Sequence, residues 1–147
     1  MSHQKKLKID KIFPSTMEMK KAIPISENGV SAGFPSPADD YIQESLDLNE
    51  YVVKHPAATF FVRVAGDSMI EAGIHDRDIL VVDRSLTPKN NDIIIAVLDN
   101  EFAVKIFRRK SGSVLLDAAN DEYPPLKMKE GMNLEVWGVV TYVIHPV

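Results

Sequence analysis

The chain contains no cysteine. That excludes disulfides, a thiol nucleophile and any thiolate-built zinc site, and folding needs no oxidising compartment. Long hydrophobic runs are missing too. Ile93–Leu98, one of the longest, falls far short of the roughly 20 apolar residues that cross a bilayer. The opening Met1-Ser2-His3-Gln4-Lys5-Lys6 carries no apolar signal core, so a cytoplasmic protein without membrane contact is expected. There is no surplus of positive charge: 17 Lys and Arg stand against 21 Asp and Glu, a net of -4. That balance argues against a nucleic-acid binder working through bulk positive charge.

What is present fits one domain. The 147 residues are 45% hydrophobic and 26% charged, an ordinary globular balance. The charge is unevenly placed. Residues 1–32 hold six lysines against Asp10, Glu18 and Glu27, a net of +3, which leaves -7 for residues 33–147. A basic arm therefore precedes an acidic body. The arm's apolar residues are scattered, and Pro14 and Pro24 interrupt it. Alone it cannot bury enough surface to offset its ordering entropy. It reads either as a flexible tail or as a strand-like segment that lies along the body and can be released. It holds no pair of apolar-periodic helices, so no helix-turn-helix fits in it.

Val30–Pro37, with small residues at 31–33 and two prolines, marks a boundary. Ser36 and Pro37 read as N-cap and first helical residue, with Asp39 and Asp40 in the first turn. Tyr41, Ile42, Ser45, Leu46 and Leu48 continue at helical spacing and predict a helix ending before Pro56. Strand patterns follow over 59–64, 78–83, 92–98, 101–108, 113–118 and 134–144. Leu98-Asp99-Asn100-Glu101 and Lys110-Ser111-Gly112-Ser113 are the tight turns. The expected fold is mostly β: a compact antiparallel domain with one short helix and an extended N-terminal arm. Strand 134–144 is a candidate for pairing across a dimer, and Trp137 for core or dimer interface.

Two residues carry candidate chemistry. Gly66-Asp67-Ser68-Met69 follows the apolar strand 59–64. A glycine there lets the chain turn sharply and present the Ser68 hydroxyl together with nearby amides. Most serines in such turns only cap the backbone. In strand 101–107, Phe102, Val104 and Ile106 share one face, and Ala103, Lys105 and Phe107 the other. Lys105 is thus the one charge on two apolar faces. Desolvation there would lower its pKa. A value near 7, about three below the ordinary 10.4, would make it a general base at roughly 4 kcal/mol in folding. The bland alternative is a lysine that snorkels at a sheet edge. Asp67, His75, Asp76 and Asp78 form a turn, and no metal is expected there. His55 and His145, each beside a proline, are expected at the surface. A Ser-His-Asp triad stays open by residue count, with Lys105 the simpler base.

Taken together, several stretches resemble the LexA/UmuD family of self-cleaving Ser-Lys proteases in order and spacing. They are Ala32-Gly33 with Phe34–Pro37, Gly66–Ile70, Gly73–Asp76, Asp78–Arg84, Asp92-Ile93, Phe102–Lys105 and Val136–Val140. The likeness covers essentially all of residues 32–147. The short arm without DNA-binding helices is similar to the UmuD-like branch. Arg77 and Asn91 stand where relatives often have Gly, so strained or differently shaped turns are expected there, with Asn the better tolerated.

The resemblance implies a specific chemistry. Ser68 would be the nucleophile and Lys105 its base, with the backbone amides of Ser68 and Asp67 holding the oxyanion. The bond cut would be Ala32–Gly33, removing the flexible arm 1–32 and leaving 33–147 as a β-rich peptidase and dimerisation domain. In this family the RecA filament on single-stranded DNA promotes cleavage. The shortened homodimer would then serve a UmuC-type Y-family polymerase in error-prone translesion synthesis during the SOS response. No cofactor and no direct specific DNA binding are implied. A non-catalytic docking module of the same fold is the main alternative. A membrane signal peptidase, which shares Ser-Lys chemistry, is disfavoured by the missing anchor.

Overall fold

Strands dominate because apolar residues alternate. In β2 (Thr59–Ala65), Val62 and Val64 are fully buried and Arg63 between them is exposed, the period-2 pattern of a strand with one face in the core. The computed structural model describes residues 7–15, 45–120, 122, 126–127 and 133–147. The other strands are β1 (Lys8–Pro14), β3 (Ile79–Asp83), β4 (Ile93–Leu98), β5 (Glu101–Lys110), β6 (Ser113–Asp117), β7 (Leu126–Lys127) and β8 (Leu134–Ile144). All eight join one sheet in the order β1-β2-β3-β8-β4-β5-β6-β7, every pairing antiparallel. The mostly antiparallel β class expected from the pattern is the one observed. The six expected strands are present, and β1 and β7 are additions.

The main core gathers Leu7, Val62, Val64, Met69, Leu80, Ile95 and Val104, drawing on both halves of the sheet. A second cluster, Ile94, Ala96, Phe107, Leu116 and Val139, fills the other face of β4 and β5. The two tight turns take positive φ at both central residues, Asp99 (46°) and Asn100 (69°), then Ser111 (51°) and Gly112 (79°). Such turns match the twist of the strands they join.

β8 lies between β3 and β4, hydrogen-bonded to both. Residues 139–144 pair with β3 and residues 134–139 with β4, so each edge of β8 is used along part of its length within the chain. Register shifts let Trp137 and Thr141 bulge from its ladders. Trp137 packs against the main core and meets Phe60, Phe102 and the Arg84 guanidinium. Beside it, Gly138 admits Val82: an added Cβ would stand 2.5 Å from Val82 Cγ1.

The expected helix is also revised. Its Ser36 start lies outside the described residues. Within them, α1 spans only Leu48–Val52 and is capped by Asp47, whose side chain accepts from the Glu50 amide at 3.1 Å. Positive φ is found at Arg77 (71°) and Asn91 (74°), the two positions read as glycine turns. An arginine there meets its own Cβ in a way glycine does not. Arg77→Gly is expected to stabilise the fold by about 0.5–1 kcal/mol, since relief of strain outweighs the added backbone entropy of the unfolded chain. Thermal denaturation checks this; an unchanged or lower Tm would count against strain at the turn.

Candidate active site

At the end of β2, Gly66 turns the chain with φ 108°, a backbone that only glycine takes freely. Its amide donates to Asp76 Oδ1 at 2.9 Å. The chain then tightens into a 3-10 turn at Ile70–Ala72, with the Ile70 amide donating to the Asp67 carbonyl at 3.1 Å. Ser68 sits at the entrance of this turn and is only 2% exposed.

The turn is held from one side by the segment after β6. The Ala119 amide donates to Met69 Sδ at 3.3 Å, the Glu71 amide donates to the Ala119 carbonyl at 2.8 Å, and Asn120 Nδ2 donates to the Asp67 carbonyl at 3.2 Å. Among the described residues no acceptor takes the amide hydrogens of Asp67 and Ser68. Asp67 Oδ1 is buried without a hydrogen-bond partner.

Lys105 lies midway along β5, half-buried and paired with Ile94. β5 pairs with β6 through Ile106 and Asp117. Ala118 and Ala119 follow directly on the end of β6 and belong to the main core with Val104. Ala119 is the residue bound to Met69 and Glu71. The Ser68 turn and the Lys105 strand are thus fastened to the same short segment. The two faces of β5 divide as the alternation predicts: Val104 and Ile106 join the main core, and Phe107 the second cluster.

Ser68 Oγ accepts a hydrogen bond from the Leu7 amide at 3.0 Å. Leu7 is 2% exposed and belongs to the main core with Met69. From there the arm runs on as β1 along β2, and Ser15 closes its far end through its amide to the Thr59 carbonyl and its hydroxyl to the Pro56 carbonyl, both at 3.0 Å. Of the two readings of the arm, the strand on the body holds for residues 8–14, because Leu7, Ile9 and Ile12 have apolar positions to fill there. Ala32 and Gly33 lie outside the described residues.

Among the described residues no histidine bonds Ser68. His55 Nδ1 pairs with Asp83 Oδ2 and His145 Nδ1 with Asp78 Oδ1, each at 2.6 Å. Both rings are about half exposed, as expected, yet each reaches a buried aspartate. Burial pushes the Asp83 carboxyl up, but hydrogen bonds from the Ser85 hydroxyl, His55 and the Ser85 amide outweigh it and hold the group below the usual carboxylate range. Two residues at the site carry no signal for such a role in the sequence: Leu7 and Asn120. Asn120 carried at most a loop signal.

The family described as Peptidase S24-like matches residues 24–141. The chain is 46% identical to Protein SamA of Salmonella typhimurium over 134 residues, 91% of this chain and 93% of that protein. It is 42% identical to Protein MucA of Escherichia coli over 144 residues, 96% and 98% of the two chains. With the LexA repressor of Acetivibrio thermocellus it shares 40% identity over 116 residues, 79% of this chain and 53% of the repressor. Among the described residues no helix is long and apolar enough to cross a membrane. With a match over most of its length and UmuD-like relatives spanning nearly all of it, the chain belongs to the Peptidase S24-like family, that of the LexA/UmuD self-cleaving proteases.

Proposed function

We propose that this chain is a serine endopeptidase that cuts its own Ala32–Gly33 bond with a Ser68–Lys105 dyad. Neutral Lys105 takes the Ser68 proton as Oγ attacks the Ala32 carbonyl, and the amides of Ser68 and Asp67 hold the oxyanion. The bond to Gly33 nitrogen breaks, the lysine's proton goes to the departing amine, and residues 1–32 remain as an ester on Ser68. Water then hydrolyses that ester, restoring the hydroxyl and releasing the arm. The observation that supports this reading is the Leu7–Ser68 hydrogen bond, in which backbone of the chain's own arm meets the Ser68 hydroxyl.

The same bond explains restraint. With Leu7 in place the hydroxyl is covered, so the cleaving pose requires that end of the arm to leave. A partner that binds the released arm better than the docked one raises the population of that pose. In line with the family, that partner is the RecA filament on single-stranded DNA. The product 33–147 then acts in the cytoplasm as a homodimer, the accessory subunit of a UmuC-type Y-family polymerase, without sequence-specific DNA contact of its own.

Intact-mass analysis after incubation near pH 7 and pH 10 tests the cleavage. A fragment beginning at Gly33 that forms faster at high pH, where more of the lysine is neutral, is the expected outcome. No fragment at either pH, nor with the activated filament, would leave a docking module of the same fold in its place.

A further inference from the structure

Away from Ser68, the loop leading into β3 carries His75 and Asp78, and His145 follows the end of β8. The pairing of Ile79 with Ile144 makes Asp78 and His145 neighbours across the sheet. Ligand-capable atoms of His75, Asp78 and His145 all lie within 4.8 Å of one another. The Asp78 side chain is wholly buried; its Oδ1 meets His145 Nδ1 at 2.6 Å, and its Oδ2 accepts the His75 amide at 2.7 Å. His75 Nδ1 is buried, has no hydrogen-bond partner among the described residues and stands 3.8 Å from Asp78 Oδ2. The two rings lie 4.5 Å apart between centroids, each side chain 43% exposed.

We propose that His75, Asp78 and His145 form a binding site for a divalent transition metal, with Zn²⁺ the best fit. The 3.8 Å gap between His75 Nδ1 and Asp78 Oδ2 is too long for a hydrogen bond. It is the separation of two atoms that each reach one zinc ion at about 2.0–2.2 Å with a wide angle between them. A cation there gives the orphaned nitrogen a partner and neutralises a carboxylate that protein otherwise surrounds. Two imidazoles with one carboxylate select zinc over calcium or magnesium, which favour all-oxygen shells. Binding replaces the hydrogen bond between His145 Nδ1 and Asp78 Oδ1, the neutral ring then carrying its proton on Nε2, and widens that contact. The exposed ring edges leave a fourth position for water. The local sequence reads as a turn between strands, and the third ligand arrives from the far end of the chain. The Ile74 amide bonds the Met69 carbonyl at 3.2 Å, so the ion would clamp the end of β8 to the turn that bears Ser68.

Calorimetric titration of tag-free, full-length protein with Zn²⁺, and the visible spectrum after Co²⁺ addition, test the site. One ion per chain is expected, with the intense bands of four-coordinate cobalt and a raised Tm. His75→Ala and His145→Ala should each weaken binding at least tenfold and remove the Tm rise. His75→Phe, which keeps a ring but no nitrogen, should do the same while circular dichroism reports an intact fold. His55→Ala, whose ring serves Asp83, should bind as the parent does. Absence of stoichiometric binding, or binding that survives the changes at His75 and His145, overturns the assignment.

Discussion

Ser68→Ala is expected to abolish formation of the Gly33 fragment at every pH, and Lys105→Ala to slow it by at least about a thousandfold near neutrality. The two losses differ in kind. Without Oγ there is no atom to form the acyl-enzyme, and removal of a nucleophile from such a unit costs on the order of a millionfold. Without the amine the hydroxyl survives but must lose its proton to water or hydroxide, and a positioned base is worth about 10² to 10⁴. Lys105→Ala should therefore regain some rate as pH rises, whereas Ser68→Ala should not. Intact mass over time, from pH 7 to 10, reads both. Ordinary cleavage by Ser68→Ala protein would remove the dyad from consideration and point to a contaminating protease or another nucleophile. Undiminished cleavage by Lys105→Ala would leave Ser68 needing a different base, and no described histidine bonds it.

How far the sequence reveals this architecture depends on how local each signal is. β2 through β6 and β8 announce themselves because their alternation or unbroken apolar runs are interrupted by turn residues, and Asp99-Asn100 and Ser111-Gly112 adopt the positive φ that such turns demand. β1 hides because its ladder shifts between Ile9 and Lys11. The extra residue puts Ile9 and Ile12 against the same core at a spacing of three, which breaks the period-2 reading. β7 is only two residues long and leaves no period at all. The helix has its own local signal in Asp47 three residues before Glu50, a capping spacing that competes in the sequence with Ser36-Pro37. Ser68 and Lys105 were legible through residue type and strand context. Leu7 on Ser68 and His145 beside Asp78 span 61 and 67 positions. Contacts that distant follow from strand order, and no local pattern encodes them.

The arm's grip on Ser68 gives the second large effect. Leu7→Ala is expected to accelerate self-cleavage near pH 7, without any partner, by about tenfold to a hundredfold. Leu7 is buried in the main core, and truncating such a leucine typically costs about 2–5 kcal/mol. Part of that loss falls on the docked arm alone, because the released arm exposes residue 7 to water in either case. Each 1.4 kcal/mol lost to the docked state multiplies the released population about tenfold, and the rate rises with that population for as long as the docked state prevails. The Leu7 amide can still reach Ser68 in the variant, so the change weakens the clasp without altering the Ser68 hydroxyl. Circular dichroism and Tm establish that the body stays folded, and intact mass gives the rate. A faster rate in Leu7→Ala that disappears in the Leu7→Ala, Ser68→Ala double variant would assign the docked arm a restraining role. An unchanged rate would mean that arm release does not limit cleavage. A slower one would mean that Leu7 belongs to the cleaving pose, with the Ser68 contact then a step on the way to attack.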